Sequence, residues 1–329
     1  MSSSSKLAPR IIAPDLRFAV KDCIDIVGSP TGMGSKAYRE ASAATSDAAV
    51  VKAFKNAGCA FVGKVTMHEL AFGVTGVNRY CGTPLKPNYP QYIVGGSIRM
   101  PAACCGLFGL KTSFGRVDHA GVYPSGSSLD CLGLISNNFA HLEQGASVMI
   151  NGYRRQESVH PLTLGVLQVH VGAAHRAGLT LISYEAAKAY AQLDEQLLGR
   201  DIAHRLRAAK QVTREQYQSA QHYQANFKEQ VNRLLQRFDA LLLPTLPSYP
   251  QKLDEALEGK MNISTTSLVR PFNVSGHPAL TIPLENNRGP AALQLVGKHN
   301  GEDSLLALAR RLLPHINIAQ FSKPDSVEE

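Results

Sequence analysis

The sequence predicts an α/β fold in which strands from both ends of the chain share a central sheet. Three observations carry this. Apolar, strand-like runs stand at Arg17–Val20 and Cys59–Val62 near the start, and at Asp239–Leu243, Ala279–Ile282 and Ala291–Val296 near the end. Helical periodicity fills long stretches between them, at Glu185–Ala209 and Thr213–Phe238. The 329 residues, 44% hydrophobic and 18% charged, suit one large α/β domain with an ample core and exclude a disordered chain.

Each element has its own signal. The first strand, Arg17–Val20, runs into Lys21-Asp22. Thr45–Phe54 reads as a capped helix, with Val50, Ala53, Phe54 and Ala57 on one face and Gly58 as the residue that ends it. A buried strand, Cys59–Val62, then completes a βαβ-like opening. Residues 73–97 are rich in Gly, Pro, Asn and Thr, which predicts a long ordered loop. The stretch Thr213–Phe238 opens with a capping box, Thr213 to Gln216. It sets Tyr217, Ala220, Phe227, Val231 and Leu234 along one stripe. Pro244 stops the strand that starts at Asp239, and Asp303–Leu313 reads as a closing helix. There are no repeats and no flexible linker. The expected organisation is a tail at 1–15, a single α/β domain at 16–315 and a tail at 316–329.

With 34 Lys+Arg against 26 Asp+Glu, the formal charge is +8 and the pI about 9.2. Basic residues gather at Arg154-Arg155 and from Arg200 to Arg214, but acids are interleaved and no run of five or six like charges forms. These are read as solvated helix faces, and nucleic acid is not the expected partner. None of the six cysteines (Cys23, Cys59, Cys81, Cys104, Cys105 and Cys131) forms a CxxC pair. Reduced, buried thiols in a cytoplasmic protein are expected. Met1–Arg10 is Ser-rich and basic without the apolar core of a signal peptide, and no apolar run approaches a membrane span. His170 and His175 are not spaced as a helical metal pair, and Gly73-Val74-Thr75-Gly76 lacks the lysine of a phosphate loop. No metal and no cofactor are expected.

The sharpest local feature is Gly95-Gly96-Ser97-Ile98-Arg99. Two glycines ahead of a serine permit a tight turn and a close backbone approach, and their N–H groups suit an oxyanion beside the hydroxyl. A glycine-rich turn carrying a solvated serine accounts for the same residues. A nucleophilic serine needs a base, and no order among the 11 histidines recommends one. Lys21, following the apolar Phe18-Ala19-Val20, is an alternative base; a surface lysine is the plainer reading.

At these residues the chain resembles the amidase signature hydrolases. Lys21-Asp22-Cys23-Ile24-Asp25 is similar to their lysine motif, and Gly63–Gly73 to the segment written Gly-Lys-Thr-Asn-Met-x-Glu-Phe-Ala-x-Gly. Gly82-Thr83-Pro84 and the stretch from Gly95 to Lys111 resemble the signature itself. Asp239–Pro247, Pro271-Phe272-Asn273 with Gly276-His277-Pro278, and Leu293–Gly297 resemble its later landmarks. The matches run in order over about residues 16 to 313.

The resemblance implies a mixed central sheet flanked by helices, and amide cleavage by a Ser–Ser–Lys triad through an acyl-enzyme. Ser97 becomes the nucleophile, Lys21 the distal base, and Gly95 and Gly96 the oxyanion backbone. Arg99 and Asp130 read either as a pair that braces the loop or as two separate surface charges, while Lys64, Met67 and Glu69 read as packing and ion-pair residues. The chain departs from the family pattern at the signature. One Gly-Gly-Ser stands where the family has two, so the bridging serine, the helix after it and most of the oxyanion loop have no counterpart, and the region between Gly133 and Glu185 is short. The expectation is an amidase for a small-molecule carboxamide, impaired by this internal deletion. The alternatives are an inactive truncated isoform that acts by binding, and an amidotransferase A-type subunit. No membrane partner is expected, and a homodimer is left open.

Overall fold

The computed structural model describes residues 13–86, 89–157, 160–167, 172–260 and 262–319. Most of the expected terminal tails and His170 therefore lie outside the described residues. The opening is the expected βαβ unit: β1 (Arg17–Lys21) and β2 (Ala60–Val65) pair in parallel, and α1 (Ala49–Asn56) connects them. The helix starts four residues later than its polar Thr45–Asp47 lead predicts. Asp47 does not cap it, because its carboxylate accepts the Val27 N–H at 2.9 Å and Lys55 Nζ at 2.8 Å. Gly58 ends it as expected, at φ +86°. β2 is not the buried strand predicted: Val62 and Val65 are about half exposed.

The remaining elements follow in order. They are α2 (Arg99–Cys105), β3 (Phe108–Lys111), β4 (Gly133–Ser136), α3 (Phe139–Met149), β5 (Leu164–Val166), α4 (Gly172–Ala189), α5 (Arg200–Ala209), α6 (Arg214–Arg237), β6 (Ala240–Pro244), α7 (Leu253–Leu257), α8 (Arg270–Val274), β7 (Ala279–Leu284), β8 (Ala291–Val296) and α9 (Glu302–Leu312). Six strands form a sheet in the order β4-β3-β7-β8-β6-β5, in which β5 and β6 are parallel and every other pair antiparallel. The sheet is mixed and flanked by helices. Among the described residues the strands nevertheless fall into two sheets, six-stranded and two-stranded, where one shared sheet was expected.

The six-stranded sheet is covered on both faces, so its central strands read as apolar runs rather than as alternating ones. Leu110, Leu280 and Leu295 are register neighbours on β3, β7 and β8, and none is exposed. Leu280 and Ile282 pack toward α3 and α9 through Leu142, Leu305 and Ala309. Ala279, Leu241 and Leu243 pack instead with Val231 and Leu235 of α6 and Phe272 of α8. The first core also takes in Val20 and Phe54, so hydrophobic packing joins the two sheets although no backbone ladder does among the described residues.

Helix starts follow the sequence where a cap is free to act. The Thr213–Gln216 capping box forms in both directions, at 3.2 and 2.9 Å. The continuous helix predicted for Glu185–Ala209 is broken between α4 and α5. There Asp194 caps a short turn by accepting the Gln196 N–H, and the Gly199 N–H is taken by Glu69 Oε2 at 2.9 Å. All six cysteines are free; Cys23, Cys59 and Cys104 are buried as expected, but Cys81 is exposed.

Candidate active site

The described residues of 73–97 form the predicted loop, held in shape by a few side chains. Asn78 is the main one: its amide donates to the carbonyls of Gly34 and Met67, both at 2.8 Å, and its oxygen accepts the N–H groups of Tyr80 and Cys81. At the end of the loop Gly95 is laid directly on the backbone of Thr75 and Gly76, leaving no room for a Cβ. Gly96 has φ +112°, a conformation that favours glycine, and turns the chain into the start of α2. Ser97 follows, exposed, two residues before the helix.

Ser97 and Lys21 line one cavity of about 1760 Å³. Lys21 reaches it from the end of β1 and is half-buried. No hydrogen bond joins the two side chains among the described residues. Asp130 lines the same cavity and feels the charge of Lys21. Enclosure by protein pushes the Asp130 carboxyl pKa up, opposed by the positive charge of Lys21 and reinforced by Glu185. The Cys23 thiol is pushed up by burial in the same way, with Lys21 again opposing.

The Arg99–Asp130 pair does not form. Arg99 is buried and directs its guanidinium to neutral acceptors: Gln294 Oε1, Asn273 Oδ1 and the Val269 carbonyl, the last at 2.8 Å. The cause is position. Arg99 opens a helix packed on β7 and β8, so its fork faces α8 and β8 rather than the cavity wall that carries Asp130. A brace exists all the same, because Asn273 Nδ2 donates to the Leu129 carbonyl at 3.1 Å, next to Asp130.

Lys64 fulfils its ion-pair reading with Asp22 at 3.2 Å, and Met67 its packing reading. Glu69 is a buried hydrogen-bond acceptor rather than an ion-pair partner, taking Ser35 Oγ and the Gly199 N–H. Among the described residues no group of His, Cys, Asp and Glu is arranged to hold a metal ion.

Several cavity residues went unassigned in the sequence. Lys111 ends β3 at 2% exposure, and its Nζ donates to the Thr112 carbonyl at 2.8 Å and lies 3.6 Å from Cys131 Sγ. Burial pulls its pKa down to about 8. A lysine closing the apolar run Phe108–Leu110 was the available signal. Glu185 accepts from Tyr217 Oη at 3.0 Å and from the Ser128 N–H at 3.0 Å, tying α4 to α6 and to the Asp130 loop. No local pattern marks that contact, since its partners come from three separate segments.

Comparison with known proteins agrees with this arrangement. The Amidase family model matches residues 15–97, 94–171 and 155–306. Outer envelope protein 64 of Arabidopsis thaliana chloroplasts is 24% identical over an alignment that covers 92% of this chain and 66% of that protein, so the chain spans a little under two thirds of that relative. The 1-carboxybiuret hydrolase subunit AtzE of Pseudomonas sp. (strain ADP) is 26% identical, covering 93% of this chain and 85% of its own. Among solved structures, a vestigial protein complex described as revealing the origins of an s-triazine catabolic enzyme superposes with a TM-score of 0.85 at 21% identity. That match covers 94% of this chain and 86% of the other. Fold, ordered motifs and family match together establish that the chain belongs to the Amidase family of amide C–N hydrolases.

Proposed function

We propose that the chain hydrolyses a small carboxamide through a serine acyl-enzyme, with Ser97 as nucleophile and Lys21 as the distal base. The observation that carries this reading is that the two, far apart in sequence, open into one cavity. Ser97 Oγ attacks the amide carbon, its proton moves to the Lys21 amine, and the N–H groups at Gly95 and Gly96 stabilise the oxyanion. Collapse of that intermediate releases the amine or ammonia with the proton. Water then cleaves the ester and restores the serine.

The activity is reduced, because among the described residues no side chain bridges Lys21 to Ser97 by hydrogen bonds. A missing internal segment accounts for that gap. Two findings support it: the first two of the three matched stretches, 15–97 and 94–171, both contain Val94–Ser97, and the alignment with the chloroplast relative runs over 391 residues, more than the 329 of this chain. The six free cysteines support a reducing compartment such as the cytoplasm.

Ammonia release from a panel of aliphatic and aromatic carboxamides tests the reading. Slow release that falls about 100-fold or more in Ser97→Ala is expected. No release from any amide overturns it in favour of a chain that acts by binding, and a rate unchanged in that variant overturns Ser97 as the nucleophile.

A further inference from the structure

Lys111 and Cys131 form a pair of nucleophiles that the amide chemistry does not use. Lys111 Nζ lies 3.6 Å from Cys131 Sγ, within hydrogen-bonding reach of sulfur. The backbone fixes this approach. Lys111 ends β3 and is the register partner of Gly133, the first residue of β4. Thr112 then clamps the residue between Gly133 and the cysteine, since its N–H and its hydroxyl both donate to the Leu132 carbonyl, at 3.3 and 2.8 Å. The pair is therefore built on a strand ladder rather than met by chance on two mobile side chains.

The two groups differ in access and in charge state. Lys111 is buried, and among the described residues its amine has the Thr112 carbonyl and the Cys131 sulfur for partners, and no carboxylate. Burial without a counter-charge disfavours the ammonium, and the nearby guanidinium of Arg99 works in the same direction, so a share of Lys111 is free amine at neutral pH. Cys131 is only part-buried and lines the cavity, so a small reagent in solvent reaches its sulfur. An accessible thiol with a free amine beside it suits oxidation of the first followed by capture by the second.

We propose that Lys111 and Cys131 are a modification site for hydroperoxides, at which oxidation of the thiol ends in a covalent sulfur–nitrogen bridge between the two side chains. The Cys131 sulfur attacks one peroxide oxygen. The O–O bond breaks, an S–O bond forms, and the thiol proton leaves with the other oxygen as water or an alcohol. The thiol is oxidised to a sulfenic acid and the peroxide reduced by the same electron pair. Lys111 Nζ then attacks the sulfenic sulfur: an S–N bond forms, the S–O bond breaks, and the departing hydroxyl takes an amine proton and leaves as water. The bridge removes the sulfenic acid before a second peroxide reaches it. A thiol reductant attacks the bridged sulfur and, once the resulting mixed disulfide is reduced, returns the free thiol and amine. Exposed Cys81 offers the contrast, because its charged neighbours are the carboxylates of Asp22 and Glu69. No step involves Ser97 or Lys21.

The full chain, treated with a few equivalents of hydrogen peroxide and digested without reductant, is read by peptide mass spectrometry. The expected product is a cross-linked peptide pair holding Lys111 and Cys131, two hydrogens lighter than the sum of its parts, which dithiothreitol returns to the parent peptides. The pair should be absent from Cys131→Ser. In Lys111→Arg, dimedone, which traps sulfenic acids, should label Cys131 about tenfold more than in the parent. Sulfenic or sulfinic acid at Cys131 without the cross-link overturns the proposal. So does a disulfide from Cys131 to another cysteine, or an unmodified Cys131 beside an oxidised Cys81. Each of these outcomes is read on the parent chain, whether or not the Lys111 variant folds.

Discussion

Gly95 crosses Gly76 backbone to backbone: a Cβ on Gly95 would lie 2.0 Å from the Gly76 nitrogen, and a Cβ on Gly76 would lie 2.9 Å from the Gly95 Cα. The first glycine of the Gly-Gly-Ser sequence thus serves loop-to-loop packing, and the second, at φ +112°, serves the turn into α2. Gly95→Ala should destabilise the protein by about 2 kcal/mol or more, since the methyl group meets main chain that cannot rotate away. Urea melts of the variant and the parent check this. Equal midpoints would show that the two loop segments do not pack as described.

Arg99 and Asp130 should behave as independent positions. Arg99→Lys removes the fork that holds Gln294 and Asn273 and leaves buried acceptors unpaired, at a cost of about 3 kcal/mol. Asp130→Asn leaves that network intact. Enclosure raises the Asp130 pKa, so the native state holds its proton more tightly than the unfolded chain does. Stability is then lost as pH rises from about 3.9 through the raised native value. The Asn variant should lack this fall and be at least as stable as the parent at neutral pH. Denaturant melts of both variants between about pH 4 and 7 measure the contrast.

His277 gives the opposite pH slope. It is fully buried between the Ser275 carbonyl and Asn232, and burial, with His299 and Lys111 adding repulsion, pulls its pKa down to about 3. The unfolded chain therefore binds a proton that the native chain does not, between about pH 6.5 and 3. Stability from this site is complete above the upper value and declines on acidification through the window. His277→Gln should reduce proton uptake on unfolding at about pH 5 by close to one proton, measured from the pH dependence of the melting free energy.

Much of the fold was legible because its signals are local. The Thr213–Gln216 capping box, the β1–α1–β2 opening and strands β6 to β8 each announce themselves within a few residues. The rest depended on long-range choices. Asp47 looks like a cap but is engaged by Val27 and Lys55, and the helical periodicity from Glu185 hides a break that Gly199 and Glu69 create across the fold. β3, β4 and β5 are three or four residues long and follow glycine-rich or loop sequence, too short for a periodic signal. At the site, motif and resemblance singled out Ser97 and Lys21, and the structure sets both on one cavity. The Arg99–Asp130 pairing failed because charge signs in a sequence do not say which way a buried guanidinium points, and Lys111 and Glu185 gain their surroundings only from tertiary packing.

Covalent labelling with a fluorophosphonate, followed by peptide mass spectrometry, tests the central claim most directly, because it reads nucleophile activation without requiring the right substrate. An adduct on Ser97 is expected, absent in Ser97→Ala and formed about 100-fold more slowly in Lys21→Ala. No adduct on Ser97, or one that forms at the same rate without Lys21, would contradict the assignment of these two residues as nucleophile and base.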